Sequence, residues 1–175
     1  IATVSASGVV TAKSAGYVSI SATSKDGACS AICNVNVYVA VSGVKLAADR
    51  VTIPKGEKRI LSANVLPADA ENTDLTWQSS NTTVANVNEA GQVTARTKGT
   101  AKITVTTKDG GYSASCVIEV VQLATEVTLD FTNISINAGK TKTLVATVKP
   151  TTASDRSVTW KSSNTKVATV SDKGV

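Results

Sequence analysis

The chain has 175 residues with 18 Lys and Arg against 13 Asp and Glu, a formal charge of +5, and not one histidine. Its apolar content comes from Val, Ala, Ile and Leu, with two Trp, three Tyr and one Phe, and together with abundant Thr and Ser this favours strands over helices, because β-branched side chains pack well on a pleated surface. The absence of histidine excludes Ser-His-Asp and Cys-His catalysis in their usual form and removes the commonest zinc ligand. The charge is also spread: Ser42 to Ala124 holds nine basic and eight acidic residues, with no basic stripe interleaved with aromatics, so the surface does not read as one for nucleic acid.

Shifted by 83 residues, the chain lies on itself without a gap. Trp77-Gln78-Ser79-Ser80-Asn81 recurs as Trp160-Lys161-Ser162-Ser163-Asn164, and Ile20 to Gly27 recurs as Ile103 to Gly110. The same spacing matches Gly8 with Gly91 and Gly174, Pro67 with Pro150, and Cys33 with Cys116. The chain therefore divides into residues 1–40, the second half of a unit; residues 41–123, a complete unit; and residues 124–175, the first half of another.

In chain order, the complete unit opens with Val44 and Leu46, then Val51 and Ile53 before the turn Pro54-Lys55-Gly56. Leu61, Ala63 and Val65 face one way and Ser62 and Asn64 the other, which predicts a central core strand closed by Pro67. A polar loop runs to Asp74, and Leu75 and Trp77 begin the next strand, with the Trp ring expected inside as the largest single contribution to the core of each unit. Val84 and Val87 lead to a tight turn over Asn88-Glu89-Ala90-Gly91, whose glycine is expected at a positive φ. Ala101, Ile103, Val105 and Thr107 alternate with Lys102, Thr104 and Thr106, and an Asp109-Gly110 hairpin returns through Ala114, Cys116, Ile118 and Val120. About seven short strands with turns every ~8–12 residues predict an all-β fold of tandem immunoglobulin-like antiparallel sandwiches, each of about 83 residues. The link through Ala40 to Gly43 has no flexible composition, so neighbours are expected end to end in a rod.

These residues resemble a known family, the group 2 bacterial immunoglobulin-like domains of invasin- and intimin-type surface proteins. The resemblance rests on Leu75 to Asn81, Val84 to Val87, Gly91 to Ala95 and Gly99 to Val105, and on their counterparts at Trp160 to Asn164, Ile1 to Val4, Gly8 to Ala12 and Gly16 to Ile20. It implies tandem sandwiches on exported bacterial or phage proteins, acting as stalk, spacer or filament component. An adhesin or carbohydrate-associated module that touches a host or polysaccharide through its loops is the alternative it allows. It implies no enzyme activity, no cofactor and no particular ligand-binding residues.

Candidate chemistry is sparse. Asp69, Glu71 and Asp74 share a loop in which a carboxylate pair could serve glycoside hydrolysis, but no aromatic platform for a sugar accompanies them and they read as solvated loop charges; a calcium site would need ligands such as Asp109 with Asp69 or Asp74, and no Asp-x-Asp-x-Asp pattern supplies them. Tyr17 and Tyr112 are the candidate loop-tip aromatics. Cys29 and Cys33 are expected about 13 Å apart on one strand, beyond disulfide reach, and Cys33 and Cys116 are read as small core hydrophobes, with Cys29 near a hairpin tip available for pairing between chains. Asn81-Thr82-Thr83 and Asn133-Ile134-Ser135 match the glycosylation sequon. No run has the apolar length that spans a bilayer, and the first residues, which lie mid-unit, do not form a basic-plus-apolar leader, which says nothing about export. Residues 1–9 and 167–175 represent the same strand and turn, which favours a continuing array over halves that complete one another between chains.

Overall fold

The structure, a computed structural model of residues 1–175, consists of strands and turns with no helix. The first stretch forms β1 (Ala2–Val4), β2 (Val10–Ala12), β3 (Gly16–Thr23) and β4 (Ser30–Val37). The complete unit forms β5 (Gly43–Leu46), β6 (Arg50–Pro54), β7 (Lys58–Ile60), β8 (Ala63–Leu66), β9 (Leu75–Ser79), β10 (Ala85–Val87), β11 (Gln92–Ala95), β12 (Gly99–Thr107) and β13 (Ser113–Val121). The last stretch forms β14 (Glu126–Leu129) and β15 (Ala146–Lys149).

Alternation explains the longest pair. On β12, Ala101, Ile103, Val105 and Thr107 are buried while Lys102 is exposed; on β13, Cys116, Ile118 and Val120 are buried. The two strands run antiparallel with Ile103 opposite Cys116, and Gly110 (φ 72°) and Gly111 (φ 64°) supply the left-handed positions of their turn. β9 adds antiparallel to the free edge of β12, and β6 adds parallel to the free edge of β13, the one pairing whose direction alternation does not reveal. The facing layer is β10-β11-β7, continued by the β5-β8 pair. Ile53, Leu61, Ala85, Val93, Ile103, Ile118 and their neighbours form one core between the layers, as a sandwich requires.

Two expectations change in detail. The run over Leu61, Ala63 and Val65 is divided at Leu61-Ser62: β7 pairs with β11, β8 pairs with β5, and the Leu61 amide donates to the Gly91 carbonyl between them. It is one crossing strand handed from one neighbour to the other, so the unit counts nine strands. Trp77 is half-buried at the margin of the core, because β9 is an edge strand, and the largest fully buried side chains are Ile53, Ile103 and Ile118.

Register repeats with the sequence. Ala2 pairs with Ala12 as Ala85 does with Ala95, Ile20 with Cys33 as Ile103 with Cys116, and Val127 with Val148 as Val44 with Val65. Gly91 (φ 73°) carries the edge of the Trp77 ring: a Cβ there would lie 2.7 Å from the ring and 3.0 Å from the Leu61 carbonyl, and Gly174 meets Trp160 and Leu144 in the same way. Gly56 (φ 90°) has open space around the same position. Alanine at Gly56 is therefore expected to cost about 1–2 kcal/mol, the left-handed penalty alone, and alanine at Gly91 about 1–3 kcal/mol more through overpacking. Urea unfolding of the two variants checks this; equal losses would show that the ring does not need the gap.

Candidate functional site

The acidic residues singled out in the sequence are not brought together. Asp74 Oδ2 lies 3.2 Å from Lys108 Nζ on the surface, Asp109 Oδ2 accepts a hydrogen bond from the Val41 amide at 3.0 Å, and Asp69 and Glu71 have exposed side chains. No three Asp, Glu or Cys side chains converge as a metal site would require. Of the aromatics, Tyr17 is 76% exposed on β3, opposite Asn36, while Tyr112 lies over Gly110 at the β12-β13 turn. Tyr38, also exposed, was not among the expected candidates because it follows β4 with no turn signal beside it. A groove of about 430 Å³ runs beside Trp77, floored by Leu61, Ala63 and Leu75 and rimmed by Asp74 and Glu89.

The Trp-x-Ser-Ser-Asn motif turns out to be architectural. Ser79 Oγ donates to the Ala85 carbonyl at 2.6 Å, and Asn81 Oδ1 accepts from the amides of Thr83 and Val84, so the chain leaving β9 is folded straight into β10. Ser80 Oγ accepts from the Lys102 amide and extends the β9-β12 ladder. The second copy of the motif repeats the geometry: Ser162 Oγ donates to the Ala168 carbonyl at 2.7 Å, and Asn164 Oδ1 accepts from the Lys166 amide at 3.0 Å. Asn81 is thus committed to a turn, and Asn133 is exposed.

The junctions between units are the most specific construction in the molecule. At the first, the Glu71 amide donates to the Val39 carbonyl at 3.0 Å and the Ser42 amide to the Leu66 carbonyl at 2.7 Å. At the second, 83 residues on, the Ser154 amide donates to Gln122 at 2.7 Å and the Thr125 amide to Lys149 at 2.8 Å. The loop after each X-Pro step therefore clasps the link that enters its unit, and the small residue at its base, Ala70 or Ala153, is buried. Side chains supplement the clasp differently. Asp109 holds the first link, where Val41 is buried; Ser154 Oγ accepts from the Gln122 amide and Lys98 Nζ reaches the Thr152 carbonyl at the second.

Asp109 is free to reach the link because Thr107 holds the turn. Thr107 Oγ1 donates to the Asp109 carbonyl and accepts from the Tyr112 amide. In the first stretch the equivalent Asp26 turns inward instead, accepting from the Ser24 hydroxyl and the Ala28 amide, and these bonds hold its carboxyl below the usual range.

The cysteines separate into two classes. Cys116 is buried under the core, and burial first, then the negative charge of Asp49, pushes its thiol up from the ordinary value. Cys29 and Cys33 are exposed, which corrects the expectation that Cys33 is a core residue: it occupies the inward row, but residues 1–40 carry no strands to cover that row. Cys29 precedes β4 rather than sharing it.

Two outcomes are expected. Asp109→Ala removes a charged acceptor worth about 1.5–3 kcal/mol, so exchange of the Val41 amide should rise by roughly tenfold or more in hydrogen-exchange NMR while β12 and β13 stay protected. Unchanged exchange at Val41 would remove Asp109 from the clasp. A maleimide should leave Cys116 unmodified until the unit unfolds, whereas early modification would mean that the core opens locally.

Comparison with known proteins agrees with this geometry. The chain is 36% identical over 135 residues to an uncharacterized protein of Clostridium acetobutylicum, covering 73% of this chain and 14% of that protein. It is 46% identical over 85 residues to the kappa-carrageenase of Pseudoalteromonas carrageenovora, covering 49% of this chain and 21% of the enzyme. It is 32% identical over 136 residues to the Ig-like virion protein of Serratia phage KSP90, covering 75% of this chain and 53% of that protein. The chain thus spans about half or less of the length of these relatives. The model of the bacterial Ig-like domain (group 2) matches residues 1–35, 40–118 and 123–175, and with the repeated registers and motif geometry this shows that the chain belongs to that family.

Proposed function

We propose that the chain is a non-catalytic structural array of an exported bacterial or phage protein, a stalk or spacer that holds other parts of its parent at a set distance from a cell or particle surface. Its units are residues 1–40, 41–123 and 124–175, each in contact with the next. The observation that carries this reading is the recurrence of one backbone clasp at both junctions: a loop amide of the following unit donates to the carbonyl of the link, at Glu71 to Val39 and again at Ser154 to Gln122. Contacts of that kind limit the bending of a short link, and an array whose links resist bending transmits distance rather than merely tethering.

The relatives support the setting. A virion protein and a carrageenase that resemble the same residues indicate a module found beside quite different partners, which suits a spacer. No helix is long and apolar enough to cross a membrane. The carrageenase relative also keeps open a carbohydrate-associated role, for which the groove beside Trp77 and the exposed Tyr17 are the available surfaces.

A polysaccharide and glycan array separates the two. The spacer reading expects no saturable binding by the purified chain. Saturable binding that is lost on substituting Tyr17 or the rim of the Trp77 groove would replace the spacer with a binding module.

A further inference from the structure

A pull along the array enters and leaves the complete unit only through its links, Ala40 to Ser42 ahead of β5 and Gln122 to Leu123 after β13. Behind the first link, β5 is held by β8 along four register pairs, from Gly43 opposite Leu66 to Leu46 opposite Ala63, and β6 is held by β13 along five. Ahead of the second link, β13 is held by β12 along eight pairs and by β6 along the same five. The links can part in two ways: β5 and β6 leave the unit, or β13 does. Both routes break the β6-β13 pairs.

The direction of that pair decides how it resists. β6 runs parallel to β13, with Arg50 beside Val117 and Pro54 beside Val121. Load from the first link reaches β6 at its Arg50 end, and load from the second reaches β13 at its Val121 end. In a parallel pair these are opposite ends, so the strands are driven to slide along each other and every bond between them strains at once. Loaded at one end only, the same bonds would open one after another. Backbone bonds close the ladder at both ends: the Val117 amide donates to the Asp49 carbonyl at 2.8 Å, and the Lys55 amide to the Val121 carbonyl at 2.8 Å. With Asp49 and Lys55 bonded to β13, strand alternation turns the amides of Val51 and Ile53 toward β13 and that of Thr52 toward the open edge of the sheet. Sliding would also draw Ile53, 2% exposed, out of the core and break the Arg50–Glu119 ion pair, 3.0 Å across the two strands.

We propose that the β6-β13 pair is a tension clamp, and that the unit carries mechanical load between its links in addition to setting distance. The inference rests on the stalk reading, because a member is pulled in this way only when it is anchored on both sides.

Single-molecule force spectroscopy on the whole 175-residue chain tests it. Held at its termini, the chain loads β6-β13 by sliding. Held through Lys55→Cys and Leu123→Cys, in a Cys29→Ser, Cys33→Ser background, it loads the same pair from the Pro54–Val121 end alone. The complete unit, whose rupture is the event that makes Cys116 reactive to maleimide, should need several-fold more force in the first geometry. Val51→Pro removes an amide that faces β13 and should lower the terminal-pull force about twofold, whereas Thr52→Pro should leave it unchanged. Protection of Cys116 at zero force shows that each variant folds; should Val51→Pro not fold, the two geometries on unaltered β6 decide. Equal forces in the two geometries would overturn the clamp, and so would equal losses in the two proline variants. Either result leaves the spacer reading standing, which saturable glycan binding alone would replace.

Discussion

The β12-β13 hairpin is the member on which the other strands depend. Its buried row of Ile103, Cys116, Ile118 and Val120 is the floor of the core, and its two free edges are the places where β9 and β6 attach. Residues 1–40 have the hairpin without its flanks, and β3 and β4 still pair along eight positions, from Gly16 opposite Val37 to Thr23 opposite Ser30. Residues 124–175 carry the counterparts of β5 through β9, and β14 and β15 pair there in the register of β5 and β8. A local pairing closed by an Asp-Gly turn requires no partner in distant sequence, whereas β6 and β9 have no hydrogen-bonding edge until the hairpin exists.

That asymmetry explains what could be read from the residues and what could not. Alternation along β12 and β13, the Asp109-Gly110 turn and the positive φ of Gly8, Gly91 and Gly174 follow from one-dimensional pattern, because each is decided by neighbours in the chain. The division of the Lys58-to-Leu66 run follows from which strand lies on either side of it, and that is a property of the assembled sheet. The margin position of Trp77 has the same origin: hydrophobicity places a ring inward, but only the sheet order shows that β9 is an edge. For Cys33, the inward row was legible and its exposure was not, since exposure depends on strands that residues 1–40 do not contain.

The signature motif illustrates how a strong sequence signal can carry little about chemistry. Its polar groups are used by the backbone: Ser79 and Asn81 turn the chain between β9 and β10, Ser162 and Asn164 do so at the corresponding site, and Ser80 extends the β9-β12 ladder. These groups are satisfied by backbone atoms of the same unit, so their recurrence follows from folding. Side chains not committed to the fold lie elsewhere, on the outward rows and at the loop tips.

The junctions show how spacing can be maintained while sequence drifts. Their shared contacts run from backbone amide to backbone carbonyl, and almost any residue can supply those groups; Glu71 and Ser154 occupy equivalent positions with no chemistry in common. Side chains are then free to adjust each joint. The first recruits Asp109 and buries Val41, and the second recruits Ser154 Oγ and Lys98, whose counterpart near the first joint is Ala15. Because the backbone sets the approach of one unit to the next and the side chains only supplement it, an array can lengthen by duplication without each new copy having to evolve a fresh interface, and the joints can still differ in strength.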